Sequence, residues 1–176
     1  ETAEMNRHRM FCVISMLLLS RVGNAAVILQ YHHVADDTPA STSVSPVQFA
    51  AHMQALADEG FRVVRLDSLV DEVRHGLDPR DKVAAITFDD GFTDIAVNAM
   101  PVLARHGWPA TLFVSADAVD LRGDILSRQG LKALAENGHS LVNHSKGHAP
   151  FLRRPHTDTD LQWLAPLRAD IVVATA

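Results

Sequence analysis

Apolar positions in this chain alternate between short runs and helical stripes. Val27-Ile28-Leu29-Gln30-Tyr31-His32 is a compact run that reads as a strand. Ser45 then stands where a helix N-cap is expected, with Pro46 at the first helical position. Phe49, Met53, Leu56 and Ala57 follow at helical spacing until Gly60. Phe61-Arg62-Val63-Val64 predicts a short strand. Leu66, Leu69, Val70 and Val73 predict a second helix, opening near Asp67 or Ser68 and closing near Gly76. The run Val83 to Phe88 has the continuous apolar character of a parallel strand covered on both faces.

Beyond Gly91, a stripe of Ile95, Ala96, Ala99, Val102 and Leu103 closes at His106-Gly107. Pro101 inside it predicts a kink or a break, because proline offers no amide donor. Ala110 to Val114 reads as a fourth strand. Leu131, Leu134 and Ala135 mark a short helix stopped by Asn137-Gly138, and His139 to Asn143 forms a fifth strand. From Thr157 to Ala174 a helical stripe (Leu161, Leu164, Leu167, Ile171) is interrupted by Pro166. Strands alternating with helices predict an α/β fold with parallel strands. His32, Asp89, Asp90, His144 and His148 all fall at or just after strand C-termini, the edge where sites assemble in such folds. Five strands are too few to close a barrel, so the fold is expected to end early.

Composition changes this picture little. A chain of 176 residues, 47% hydrophobic and 21% charged, suits one domain or most of one. A net charge of −5 gives no support for nucleic-acid or anionic-membrane binding. Cys12 is the single cysteine and makes no intramolecular disulfide. Ten histidines direct attention to metal and acid–base sites. At the N-terminus, Arg7-His8-Arg9 precedes an apolar run from Met10 to Leu19, and the small residues Gly23, Ala25 and Ala26 follow. That order matches a secretory signal peptide over residues 1–26, leaving a domain at 27–176 and predicting export to the periplasm or the exterior. The run is shorter than the ~20 residues of a membrane span, so membrane contact is expected only through this segment. An amphipathic or buried N-terminal helix is the alternative.

Two clusters carry chemistry. Thr87-Phe88-Asp89-Asp90-Gly91 ends a buried strand in adjacent carboxylates, which are costly there without a cation or hydrogen-bond donors. Taken alone, Asp90 reads as a helix N-cap. His144-Ser145-Lys146-Gly147-His148 separates two imidazoles by three residues, a spacing that lets a helical turn or a tight loop aim both at one ion. Two histidines and one carboxylate leave coordination positions open, which suits Zn²⁺ or a similar divalent ion. An isolated histidine pair of this spacing is more often two loop residues. His32 reads as a rim residue or a hydrogen-bonded structural one, His139 as packed, and Trp108 and Trp163 as core or as sugar-stacking platforms.

These two stretches resemble the first two motifs of the polysaccharide deacetylases, the NodB-like group or carbohydrate esterase family four. Tyr31-His32-His33-Val34 and Gly138-His139-Ser140 fit the same resemblance, which runs from about Val27 to Ala176. It implies a distorted (β/α)7 barrel, here carrying about five strands, and hydrolysis of acetyl groups on an N-acetylated polysaccharide. It further implies that Asp90, His144 and His148 hold the metal, with Zn²⁺ the favoured ion, while Asp89 is the general base that takes a proton from water. The family's third motif, an Arg-Pro-Pro-Tyr-like stretch supplying an oxyanion donor, has only a superficial echo in Arg153-Arg154-Pro155-His156, which reads as loop. The general-acid histidine also has no counterpart. A truncated, inactive remnant or a glycan-binding module that keeps the ligands is therefore the alternative to a deacetylase, and a non-glycan amide substrate is a third reading. Sugar identity and oligomeric state have no signature in the chain.

Overall fold

The computed structural model describes residues 25–78, 80–148 and 159–174. Most of the expected leader, and the Arg153-Arg154-Pro155-His156 stretch, lie outside them. In chain order the elements are β1 (Ala25–Tyr31), β2 (His33–Val34), β3 (Ser43–Val44), α1 (Pro46–Asp58), β4 (Arg62–Val63), α2 (Leu66–His75) and β5 (Lys82–Phe88). There follow a π turn (Ile95–Ala99), α3 (Met100–His106), β6 (Thr111–Val114), a 3₁₀ turn (Ala116–Ala118), α4 (Arg128–Glu136), β7 (Ser140–Asn143) and α5 (Asp160–Val173).

All pairings of the main sheet are parallel, in the order β1-β5-β6-β7. β1 takes one whole edge of β5, from Ala25↔Lys82 to Tyr31↔Phe88. The other edge is divided. β4 pairs its N-terminal half through Val63↔Ala84, and β6 its C-terminal half through Thr87↔Thr111 and Phe88↔Leu112. Ala25 and Ala26, where leader cleavage is expected, already pair with Lys82 and Val83. Among the described residues no helix is long and apolar enough to cross a membrane.

Side chains alternate along β5, and its two faces do different things. Ala84, Ile86 and Phe88 join the larger core with Phe49 and Met53 of α1, Leu103 of α3, Leu112 of β6, and Leu131 and Leu134 of α4. Val83 and Ala85 point the other way, onto Leu69 of α2. Continuing that second face by twos leads through Thr87 to Asp89, which line an open cleft of about 340 Å³ with Ile28, Gln30, Leu66, Phe113 and His144. The sheet thus has a packed side and a side that carries polar groups at its C-terminal end.

Local sequence accounts for most element boundaries. Ser45 caps α1: its Oγ accepts from Gln48 N at 3.1 Å, and Gln48 Oε1 accepts from Ser45 N at 3.2 Å. Phe49 is fully buried and meets the rings of Tyr31 (5.1 Å between centroids) and Phe88 (5.9 Å). Burial also pushes the Tyr31 phenol up to about 12. Pro101 acts where expected: it lies in the first turn of α3, directly after the π turn, so its missing amide is absorbed at a change of helix type. The other proline differs from expectation, because α5 runs through Pro166 without a break. Pro166 faces solvent, which leaves room for water at the carbonyl that loses its partner. The α2 start is also displaced: Arg65 occupies the cap position, and Asp67 instead accepts from Ser68 N within the first turn. β2 and β3 form a separate parallel pair, through His33↔Ser43 and Val34↔Val44.

His139 sits just before β7, where its Nδ1 accepts from Ala110 N at 3.1 Å. Burial holds its pKa below the ordinary 6.5. The unfolded chain therefore binds this proton more readily, and the contribution of His139 to stability is present above pH 6.5 and lost as pH falls through the lowered folded value. The melting temperature is expected to drop between pH 7 and pH 5, with a shallower drop in His139→Gln. Equal slopes would contradict this. Phe49→Ala is expected to cost about 3–5 kcal/mol in urea unfolding, from lost burial and the cavity left behind.

Candidate metal centre

β5 ends at Phe88, and the next two residues separate. Asp89 continues the strand: its N–H donates to Tyr31 O at 2.9 Å, and its side chain, on the cleft side, is 8% exposed. Simple alternation would send Asp90 into the packed face. Asp90 instead adopts φ 67°, followed by Gly91 at φ 75°, and this left-handed turn carries its carboxylate toward the end of β7. Gly91 suits the turn, since a Cβ there would be strained and would lie 3.4 Å from the Val114 side chain. Asp90 is not a helix N-cap. Helical backbone begins only at Thr93, and the π turn at Ile95 has Asp94 before it with no side-chain cap bond.

The histidines reach the same place from β7. His144 N donates to Val114 O at 3.0 Å, extending the β6–β7 pairing by one residue, and the chain then folds into a tight loop. Ser145 (φ 68°) and His148 (φ 50°) are both left-handed. His144 Nε2 lies 3.4 Å and His148 Nε2 3.2 Å from the same oxygen, Asp90 Oδ1. One ligand atom from each of Asp90, His144 and His148 falls within 4.8 Å of the others. Tetrahedral zinc with bonds of about 2.1 Å separates neighbouring ligand atoms by about 3.4 Å. The two Asp90–histidine distances match that spacing, so the set suits a divalent ion. Asp90 is 18% and His144 26% exposed, whereas His148 is 59% exposed, so one side stays open to solvent.

Asp89 stands beside this set with its own partners. Gln30 Nε2 donates to Asp89 Oδ2 at 2.5 Å, and His32 Nε2 approaches the same oxygen at 3.7 Å, too far for a hydrogen bond. His32 is thus a rim residue near Asp89 and outside the three-residue set. His139 is packed, as expected. The ion-pair contacts of Asp89 and Asp90 among the described residues are all to histidines.

Several contributors have no signal in residue spacing. Gln30 was visible only as a polar interruption of an apolar run. His33 is tied by Nδ1 to Asp94 Oδ2 at 2.7 Å and stacks on Phe92 at 3.6 Å between centroids, linking segments far apart in sequence. Asp170 of α5 accepts from Lys146 N and Gly147 N, at 3.0 and 2.9 Å. Burial raises the Asp170 carboxyl, but hydrogen bonds from Gly147, the Ser145 hydroxyl and Lys146, with the Lys146 charge, outweigh it and bring the pKa below its ordinary value.

Known proteins resemble this chain in sequence and in fold. The family model described as polysaccharide deacetylase matches residues 76–165, a span containing Asp89, Asp90, His144 and His148. YxkH of Bacillus subtilis, named as a polysaccharide deacetylase, is 31% identical over 121 residues, covering 69% of this chain and 42% of its own length. The chain therefore spans less than half of that relative. Two solved structures share the fold. IcaB from Ammonifex degensii superposes with a TM-score of 0.74 at 23% identity, over 87% of this chain and 67% of that one. The Streptococcus pyogenes deacetylase PplD, determined in complex with acetate, gives 0.66 at 24% identity, over 76% and 62%. With the parallel sheet, the two motifs and these likenesses in agreement, the chain belongs to the polysaccharide deacetylase family.

Proposed function

We propose that this chain carries the ligand set and general base of an exported, divalent-metal-dependent hydrolase that removes acetyl groups from an N-acetylated glycan. The observation that carries the proposal is the convergence of Asp90, His144 and His148 beside the buried Asp89. When bound, a divalent ion, Zn²⁺ by preference, supplies Lewis acidity that polarises the acyl carbonyl and makes water more acidic. Asp90, His144 and His148 would hold it. PplD's complex with acetate, the product expected of deacetylation, supports the reading.

The residues divide the remaining work. Gln30 holds Asp89 Oδ2 as an acceptor, which fixes the carboxylate and leaves Oδ1 to take a proton. Ile28 and Phe113 form apolar walls of the adjoining cleft, lowering the local dielectric around Asp89. Asp89 takes a proton from water as the oxygen adds to the acetyl carbon. The C–N bond then breaks as the nitrogen gains a proton from solvent, Asp89 gives its proton back to solvent, and acetic acid and a free amine leave.

Two substitutions separate binding from turnover. His148→Ala is expected to weaken Zn²⁺ binding by at least tenfold in competition with a chromophoric chelator, and undiminished binding would remove His148 from the ligand set. Asp89→Asn should bind Zn²⁺ like the parent chain but release acetate from N-acetylated oligosaccharides about 10²–10⁴-fold more slowly. Acetate release at the parent rate would refute Asp89 as the base. A parent chain that binds Zn²⁺ yet releases no acetate would favour the glycan-binding alternative.

A further inference from the structure

The loop between the two histidines holds a costly shape, and its hydrogen bonds show what maintains it. Left-handed backbone at a non-glycine residue persists only where surrounding contacts enforce it. Ser145 and His148 both adopt it within four residues. On the carbonyl side, the Ser115 hydroxyl donates to His144 O, Ala116 N to Ser145 O and Asp117 N to Lys146 O. On the amide side, Ser145 N donates to Asn143 Oδ1 and His148 N to Ser145 Oγ. The two central amides, those of Lys146 and Gly147, both donate to one carboxylate, Asp170.

Asp170 is poorly placed for its own helix. An acid in the last turn faces the negative end of the helix dipole, and α5 ends at Val173. Nor is Asp170 alone in docking α5, since Asn143 Nδ2 donates to Ile171 O at 2.9 Å. The Thr159–Gln162 capping box secures the other end of the helix. Asp170 also lies beyond residues 76–165, the span matched by the family model.

From these observations we propose that Asp170 is a positioning residue for the metal centre, holding the Lys146–Gly147 backbone so that His144 and His148 both face Asp90. The inference rests on the reading of those three residues as metal ligands. Without Asp170, two loop amides lose their acceptor, and the left-handed turns lose the contact that fixes the spacing of the imidazoles.

The test uses the full chain and measures Zn²⁺ affinity by chelator competition in the parent, Asp170→Asn, Asp170→Ala, His148→Ala and a core control, Leu134→Ala. Co²⁺-substituted samples report ligand geometry through their visible d–d bands, and circular dichroism in chelator reports folding. Affinity is expected to fall in the order parent, Asn, Ala, by roughly 10–100-fold in all, with altered d–d bands. Asn should rescue part of the loss because it keeps one acceptor oxygen. Leu134→Ala should lower the melting temperature while leaving affinity and bands unchanged. If Asp170→Ala fails to fold, Asp170→Asn decides the question alone. Parent-like affinity and bands in the folded Asp170 variants would overturn the proposal while leaving the ligand set standing. A parent chain that binds no Zn²⁺, or a His148→Ala variant that binds it equally well, would overturn the ligand set and the proposal with it.

Discussion

Strand β5 pairs with β1 along its whole length and divides its other edge between β4 and β6. With Val83 to Phe88 buried, the strand has almost no freedom to rotate or slip, because a one-residue shift would exchange its two faces. That constraint fixes Asp89 on the cleft side. It also fixes where the left-handed turn at Asp90 and Gly91 begins, and hence where the second carboxylate points. The histidines depend on the same frame one step further out, since β7 is placed by β6 and β6 by β5.

The centre concentrates local strain within this rigid setting. Asp90, Ser145 and His148 are three of the four described non-glycine residues with positive φ. Each such residue costs on the order of 1 kcal/mol or more. The larger core lies on the face of β5 opposite the Asp89 cleft. His139 stays on the packed side, accepting a backbone amide, and joins no ligand set.

Much of this was legible in the residues because its signals are local. The unbroken apolar run of β5, the Ser45 cap before Pro46 and the three-residue gap between His144 and His148 each report on contiguous sequence. The proposed division of roles between Asp89 and Asp90 comes from the resemblance to the family motifs, since neither spacing nor hydropathy distinguishes the two acids. What stayed hidden depends on distant contacts. The His33–Asp94 pair, the Gln30–Asp89 bond and the Asp170 acceptor each require a folded frame to bring their groups together. Pro166 misled for a related reason. Its effect on a helix depends on whether the abandoned carbonyl faces solvent, and the exposed side of α5 allows the helix to continue.

The central claim is that two consecutive acids at the end of β5 have different functions, one binding an ion and one facing water. A zinc-edge anomalous difference map from crystals of this chain grown with Zn²⁺ tests that claim most directly. The account predicts one strong peak about 2.0–2.2 Å from an Asp90 oxygen, a His144 nitrogen and a His148 nitrogen, with Asp89 beyond ligand distance. A peak ligated by Asp89 in place of Asp90, or the absence of a peak at these residues, would contradict it.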